Sequence, residues 1–136
     1  MISQSMIKEL AAITGPDHVF TCKEDMFTYS YDAAVLDSRV PGAAVMPGNS
    51  EELGKIVALC NENKIPLTVR GAGTNLSGGT IPETGGIVLL TGRLDQILEI
   101  NEADLYAVVR PGVVTAKLAA AVEKTGLFYP PDPGSM

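Results

Sequence analysis

Positive charge is in short supply. Ten lysines and arginines face 16 aspartates and glutamates, leaving a net charge of −6. Such a chain has no cationic stripe to displace counterions from a phosphate backbone, which argues against nucleic acid as a partner. Cysteine is scarce as well: Cys22 and Cys60 lie far apart and form no CxxC or other metal-ligand spacing. Cys60 falls on the apolar face of a predicted helix and reads as a reduced core thiol, with a disulfide as the alternative. No apolar run approaches the roughly 18 to 20 residues that span a bilayer, so no transmembrane segment is expected. The opening "MISQSMIKELAAITGPDHVF" lacks the basic segment and long apolar run of a secretory signal. Together these absences lead to the expectation of a cytoplasmic protein.

What remains is ample for a folded domain. At 136 residues, 46% apolar and 19% charged, the chain suits one compact α/β unit with a filled core. Residues 1–40 read as a lead-in, with a helix over 5–13 (Met6, Leu10 and Ile13 on one side) and then an irregular stretch from Val19 to Val40. From residue 41 the pattern sharpens. "GAAVMP" predicts a short buried strand, and "GNSEELGKIVALCNENKIP" predicts a helix capped by Asn49 or Ser50. Glu51 and Glu52 suit the positive end of its dipole. Leu53, Ile56, Val57 and Cys60 follow the spacing of one buried helical stripe. "KIPLTVR" and "GGIVLLT" predict two further strands, the second apolar throughout as in a sheet covered on both faces. Strand, helix and strand in this order predict a crossover joining a parallel pair. Two short strands around a turn at Asn101 to Asp104 follow. A last helix comes next, with Thr115 as its cap and Gly126 past its end. The closing "LFYPPDPGSM" is extended and reads as a cut end.

Between two of these strands stands "TVRGAGTNLSGGT", Thr68 to Thr80. Glycine at a strand end costs backbone entropy, so something there needs bare peptide or positive φ. A loop at the carboxyl end of a parallel strand is where open α/β sheets bind ligands. Peptide N–H groups without flanking Cβ atoms can form a concave anion nest with no lysine. Gly71, Gly73, Gly78 and Gly79 give access, Thr74, Asn75 and Ser77 add short polar side chains, and Arg70 offers positive charge or an anchor for the loop base. Two known templates fail. The dinucleotide fingerprint needs glycine where Leu76 stands, and the P-loop needs lysine where Gly79 stands. The bland alternative is a glycine-rich turn with no ligand.

With this loop, the preceding strand and "YPPDPGS" in view, the sequence resembles FAD-linked oxidases of the vanillyl-alcohol oxidase/PCMH type. It is most similar to their branch of glycolate oxidase D-subunits and D-lactate dehydrogenases. The matching stretches run from "VMPGNSEELGKIVALCNENKIPLTVRGAGTNLSGG" through "LDQILEINEADLYAVVRPGV" to "GLFYPPDPGS". The resemblance implies an FAD-binding PCMH-type domain over 41–136, truncated at its C-terminal end. It implies that Arg70, Gly71, Ala72, Gly73, Thr74, Asn75, Ser77 and Gly78 line the FAD diphosphate, mostly through backbone N–H groups. Pro47 would lie near the adenosine half, and Pro130, Pro131 and Asp132 near the flavin. Some branches attach FAD through a histidine in this loop. Here Thr74 stands in its place and the sole histidine, His18, is remote, so the implied FAD is non-covalent.

Family members continue beyond this point with more FAD-binding chain and a substrate domain. None of these residues is nominated as a general base. Asp32, Asp37 and Asp132 read as turn or cap residues, Tyr29 and Tyr31 as packing residues, and Arg93 as a partner for a carboxylate or the cofactor. The expected function is therefore the FAD-binding portion of a flavin-dependent oxidoreductase acting on a 2-hydroxy acid, inactive alone. Expected partners are FAD, the remainder of the flavoenzyme or companion oxidase subunits, and a second copy of the chain. The alternative is a non-catalytic truncated α/β module acting in self-association or partner binding, since truncation leaves sheet faces and edges uncovered.

Overall fold

The computed structural model describes residues 2–131 and divides into two compact units, Met1–Arg93 and Leu94–Met136. The first is built on a four-stranded sheet. Its strands are β1 (Val19–Phe20), β2 (Ala43–Val45), β3 (Leu67–Arg70) and β4 (Ile87–Leu90), in the spatial order β1-β2-β4-β3. β4 runs parallel to both β2 and β3, while β1 closes one edge antiparallel to β2. The predicted crossover therefore needs a correction. β2 and β3 are parallel but do not pair, because β4 inserts between them. Its run of Ile87, Val88, Leu89 and Leu90 is buried on both faces, and the central position is the one that gives such a strand cover on each side.

Alternation along the strands sorts the core into two layers. Ala43, Val45, Ile87 and Leu89 face α1 (Gln4–Thr14) and α3 (Ser50–Glu62), meeting Met6, Leu10, Ile56 and Cys60. Ala44, Val88 and Leu90 face the other way onto Met26 of α2 (Lys23–Thr28), beside Phe20, Tyr29 and Met46. Each fully buried Leu or Ile in these layers contributes about 1.5–3 kcal/mol of burial free energy. Ser3 caps α1 by accepting the Met6 N–H, and Gly15 ends it at φ +90°. The lead-in thus supplies both a helix and an edge strand to this unit.

Two helix details depart from expectation. Val57 is 45% exposed, because at about 100° per residue it lies roughly 90° around from the centre of the Leu53, Ile56, Leu59 and Cys60 stripe. Thr115 is the first residue of α4 (Thr115–Glu123) and not its cap. Val114 holds the cap position in extended backbone with no side-chain hydrogen bond. Cys22 and Cys60 are both free thiols, the second buried in the core as predicted.

The second unit pairs β5 (Ile97–Asn101) antiparallel with β6 (Tyr106–Val109). The Asp104 N–H donates to Asn101 Oδ1 at 2.8 Å within the connecting turn, and Leu105 takes φ +56°. After α4, Gly126 adopts φ +81° and its N–H donates to the Glu123 carbonyl, the stop that its position past the helix predicts. Among the described residues, no helix is long and apolar enough to cross a membrane.

Candidate functional site: the carboxyl rim of the parallel strands

All three parallel strands of the first unit end on one rim, and each hands over to a loop there: 46–49 after β2, 71–80 after β3 and 91–93 after β4. In open α/β sheets this rim is where ligands sit. Two arginines tie the loops to their neighbours. Arg93 donates to the Met46 carbonyl at 3.0 Å and lies 3.8 Å from Glu52. The carboxylate pairing is one of the two roles expected of it. Its guanidinium fills the space that a Cβ on Gly48 would need.

Arg70 anchors the other loop. Only 7% exposed, it donates to the Tyr31 carbonyl at 2.6 Å and stacks 5.9 Å over the Tyr29 ring, an arrangement suited to a planar guanidinium. A Cβ on Gly73 would collide with that guanidinium, and Gly73 holds φ +75°. The loop folds over its own anchor because residue 73 has no side chain. Tyr29 packs against Phe20 and Tyr31 against Phe27, the packing roles expected of them. Burial and the charge of Asp25 raise the Tyr29 phenol above its usual range, with Arg70 opposing. Tyr29 thus keeps its proton at neutral pH.

The main-chain donors of the loop decide what it can hold. Among the described residues, no backbone carbonyl accepts the N–H of Gly71, Ala72, Gly73, Asn75, Leu76, Ser77, Gly78 or Gly79. Gly71, Ala72, Ser77 and Gly79 are exposed. A Cβ at Gly71 or Gly79 would meet nothing closer than 3.8 Å, so bare backbone there is not demanded by the protein's own packing. Gly78 is different: it takes φ +73° with the Leu36 side chain pressed against it. Peptide donors clustered at a strand end, unclaimed by carbonyls and with few Cβ atoms between them and solvent, are the ingredients of an anion cradle.

Two of the loop's polar side chains turn to the protein. Asn75 donates from Nδ2 to Asp32 Oδ2 at 2.6 Å, and the Thr80 hydroxyl lies 2.9 Å from Asn75 Oδ1 and 3.2 Å from Asp32 Oδ2. Asp32 Oδ1 accepts the Ala34 N–H at 2.8 Å. That is the turn role expected of it; its grip on the glycine loop has no counterpart in the sequence reading. Burial pushes this carboxyl up. Hydrogen bonds from the Ala34 N–H, the Asn75 amide and the N–H and hydroxyl of Thr80 outweigh that and hold it below the usual carboxylate range.

Pro47 is fully buried at the start of the 46–49 loop, on the same rim as the glycine loop. Thr74 is exposed. The His18 carbonyl accepts the Met46 N–H at the β1 edge. Three strand spacings separate that edge from β3, about 14 Å. Pro130 and Pro131 belong to the second unit, where they line an apolar cavity of about 610 Å³ with Tyr106, Leu118, Val122 and Tyr129. Asp132 lies outside the described residues. Among the described residues, no cluster of histidine, cysteine and carboxylates is arranged to hold a metal ion.

Residues 41–136 match the family model described as "FAD binding domain". The chain is 44% identical over its whole length to glycolate oxidase subunit GlcD of Bacillus subtilis (strain 168), and covers 29% of that protein. It is 34% identical over 98% of its length to D-lactate dehydrogenase of Anaerostipes hadrus, covering 28% of it. Among solved structures, alkyldihydroxyacetonephosphate synthase shares the fold with a TM-score of 0.87 at 20% identity, over 98% of this chain and 27% of that one. The chain spans less than a third of the length of these relatives. A glycine loop with open main-chain donors lies at the strand rim, and a family match covers most of the chain: this chain belongs to the FAD binding domain family of PCMH-type flavoenzymes.

Proposed function

We propose that this chain is the FAD-binding portion of a flavin-dependent oxidoreductase acting on a 2-hydroxy acid such as glycolate or D-lactate. The observation that carries the reading is the set of main-chain amides, from Gly71 to Gly73 and from Asn75 to Gly79, that no backbone carbonyl of the described residues accepts at the end of β3. A diphosphate presents closely spaced anionic oxygens, and bare N–H groups approach them most closely where Cβ atoms are missing. In this reading the backbone of Gly71, Ala72, Gly73, Thr74, Asn75, Ser77 and Gly78 holds the diphosphate. Arg70 holds the loop from beneath. Pro47 borders the adenosine half. Thr74 offers no imidazole for attachment, which supports non-covalent binding. Bound FAD supplies a two-electron acceptor for the hydrogen on the α-carbon of the acid. The described residues supply cofactor binding and orientation. Substrate binding and proton removal belong to other parts of the enzyme, so the chain alone is inactive.

Companion subunits fit the same reading, since the Bacillus relative is by name a subunit. A cytoplasmic setting is consistent with two free thiols. FAD added to the purified chain tests the proposal. Flavin fluorescence should be quenched and the melting midpoint raised, by about 2.7 kcal/mol of added stability at a hundredfold excess over Kd. Silence at saturating FAD, with sedimentation showing dimers, would favour the self-association reading.

A further inference from the structure

Asp32 and Asn75 are 43 residues apart in sequence, yet one carboxylate holds both ends of a loop segment. Asn75 and Thr80 are the polar side chains at the two ends of the span 75–80. Both converge on Asp32 Oδ2, and they also meet each other. Between them lie Leu76, Ser77, Gly78 and Gly79, whose amides no backbone carbonyl of the described residues takes. The other oxygen of Asp32 is held by the Ala34 N–H, so the carboxylate is fixed from its own side before it grips the loop. It is 7% exposed, and an acceptor-only group in that position draws donors inward. Asn75 is thereby oriented, its Nδ2 toward Asp32 and its Oδ1 toward Thr80. The end residues are bound up by Asp32 while the main-chain donors between them are left over.

Resting on the FAD reading above, we propose that Asp32 is the positioning residue of the diphosphate loop. It acts through Asn75 and Thr80, without touching the ligand, and holds the 75–80 span in the open shape that leaves its amides available. The benefit is preorganisation: a loop already held in its binding shape loses less conformational freedom when the anion arrives. A carboxylate suits this place and a carboxamide does not. With Asp32→Asn the side chain could accept on one side only and would present an NH2 group to a donor on the other.

The experiment uses the whole chain, with Asp32→Asn and Thr80→Val as variants. Backbone ¹⁵N order parameters are measured without ligand, and FAD affinity by fluorescence titration. In Asp32→Asn the order parameters of Leu76 to Gly79 should fall while those of β4 stay, and FAD should bind roughly tenfold more weakly. Thr80→Val removes only the hydroxyl and should loosen the same span less, with a smaller loss of affinity. It serves as the second probe should Asp32→Asn fail to fold. Unchanged loop order in a folded variant, or FAD affinity equal to that of the unaltered chain, overturns the clamp. If the unaltered chain ignores FAD, it is the cofactor reading that fails, and the order parameters alone then decide whether Asp32 holds the loop.

Discussion

Two glycine-bearing loops sit on the same rim of the same sheet and differ in one respect. After β2, the nearby donors have been claimed. The Gly48 N–H donates to Glu52 Oε2 at 2.7 Å, Asn49 Nδ2 to Glu52 Oε1 at 3.0 Å, and the Glu52 N–H to Asn49 Oδ1 at 2.9 Å. Asn49 caps the helix and Glu52 reaches back to close that end, with Arg93 beside it. After β3 the acid reaches in from a distant segment. Asp32 grips the loop at Asn75 and Thr80, leaving the main-chain donors between them unclaimed by any backbone carbonyl of the described residues. Glycine content alone would not separate the two loops. What separates them is whether an internal carboxylate consumes the glycine amide or only the residues that flank the glycines, and this closes one loop and leaves the other's amides open.

The difference between the loops should be lost most completely at Gly73. Gly73→Ala places a Cβ against the Arg70 guanidinium at a residue with φ +75°, so Arg70 must leave the Tyr31 carbonyl or the loop must shift. We expect a loss of about 2 kcal/mol in chemical denaturation together with loss of measurable FAD binding. Gly79→Ala probes the cradle from the other side. Its φ is not in the left-handed region and its nearest neighbour would be Asn75 Nδ2 at 3.9 Å, so stability should change by no more than about 0.5 kcal/mol. FAD affinity should nevertheless fall several-fold in titration, because the new methyl stands where the anion approaches. Equal affinity in Gly79→Ala would mean that the bare backbone there serves turn geometry alone.

Much of this architecture was legible because it is local. The apolar run in "GAAVMP", the 3.6-residue stripe of α3, the four buried residues of β4 and the glycines after β3 all announce themselves within a dozen residues. Val57 satisfies an i+4 spacing from Leu53 and is still exposed, because the buried stripe leans toward Ile56 and Leu59. Other features have no local signature. β4 enters between β2 and β3 only because burial on both faces is available there. Arg70 finds the Tyr31 carbonyl across 39 residues, and Asp32 finds Asn75 across 43. As a sequence element Asp32 is a turn aspartate, and its Ala34 bond fits that role. Its second oxygen becomes informative only when the fold brings the loop to it.

If the main-chain amides from Gly71 to Gly79 receive a diphosphate, they should report it themselves. The decisive measurement is an amide-resolved NMR titration of the ¹⁵N-labelled chain, comparing FAD, inorganic pyrophosphate and riboflavin. FAD and pyrophosphate should both shift the Gly71 to Gly79 amides, and pyrophosphate should leave the Gly48 amide, held by Glu52, near its starting position. Riboflavin, which has no phosphate, should leave the loop unmoved. Loop amides that ignore FAD and pyrophosphate, or that respond equally to riboflavin, would rule out the diphosphate cradle.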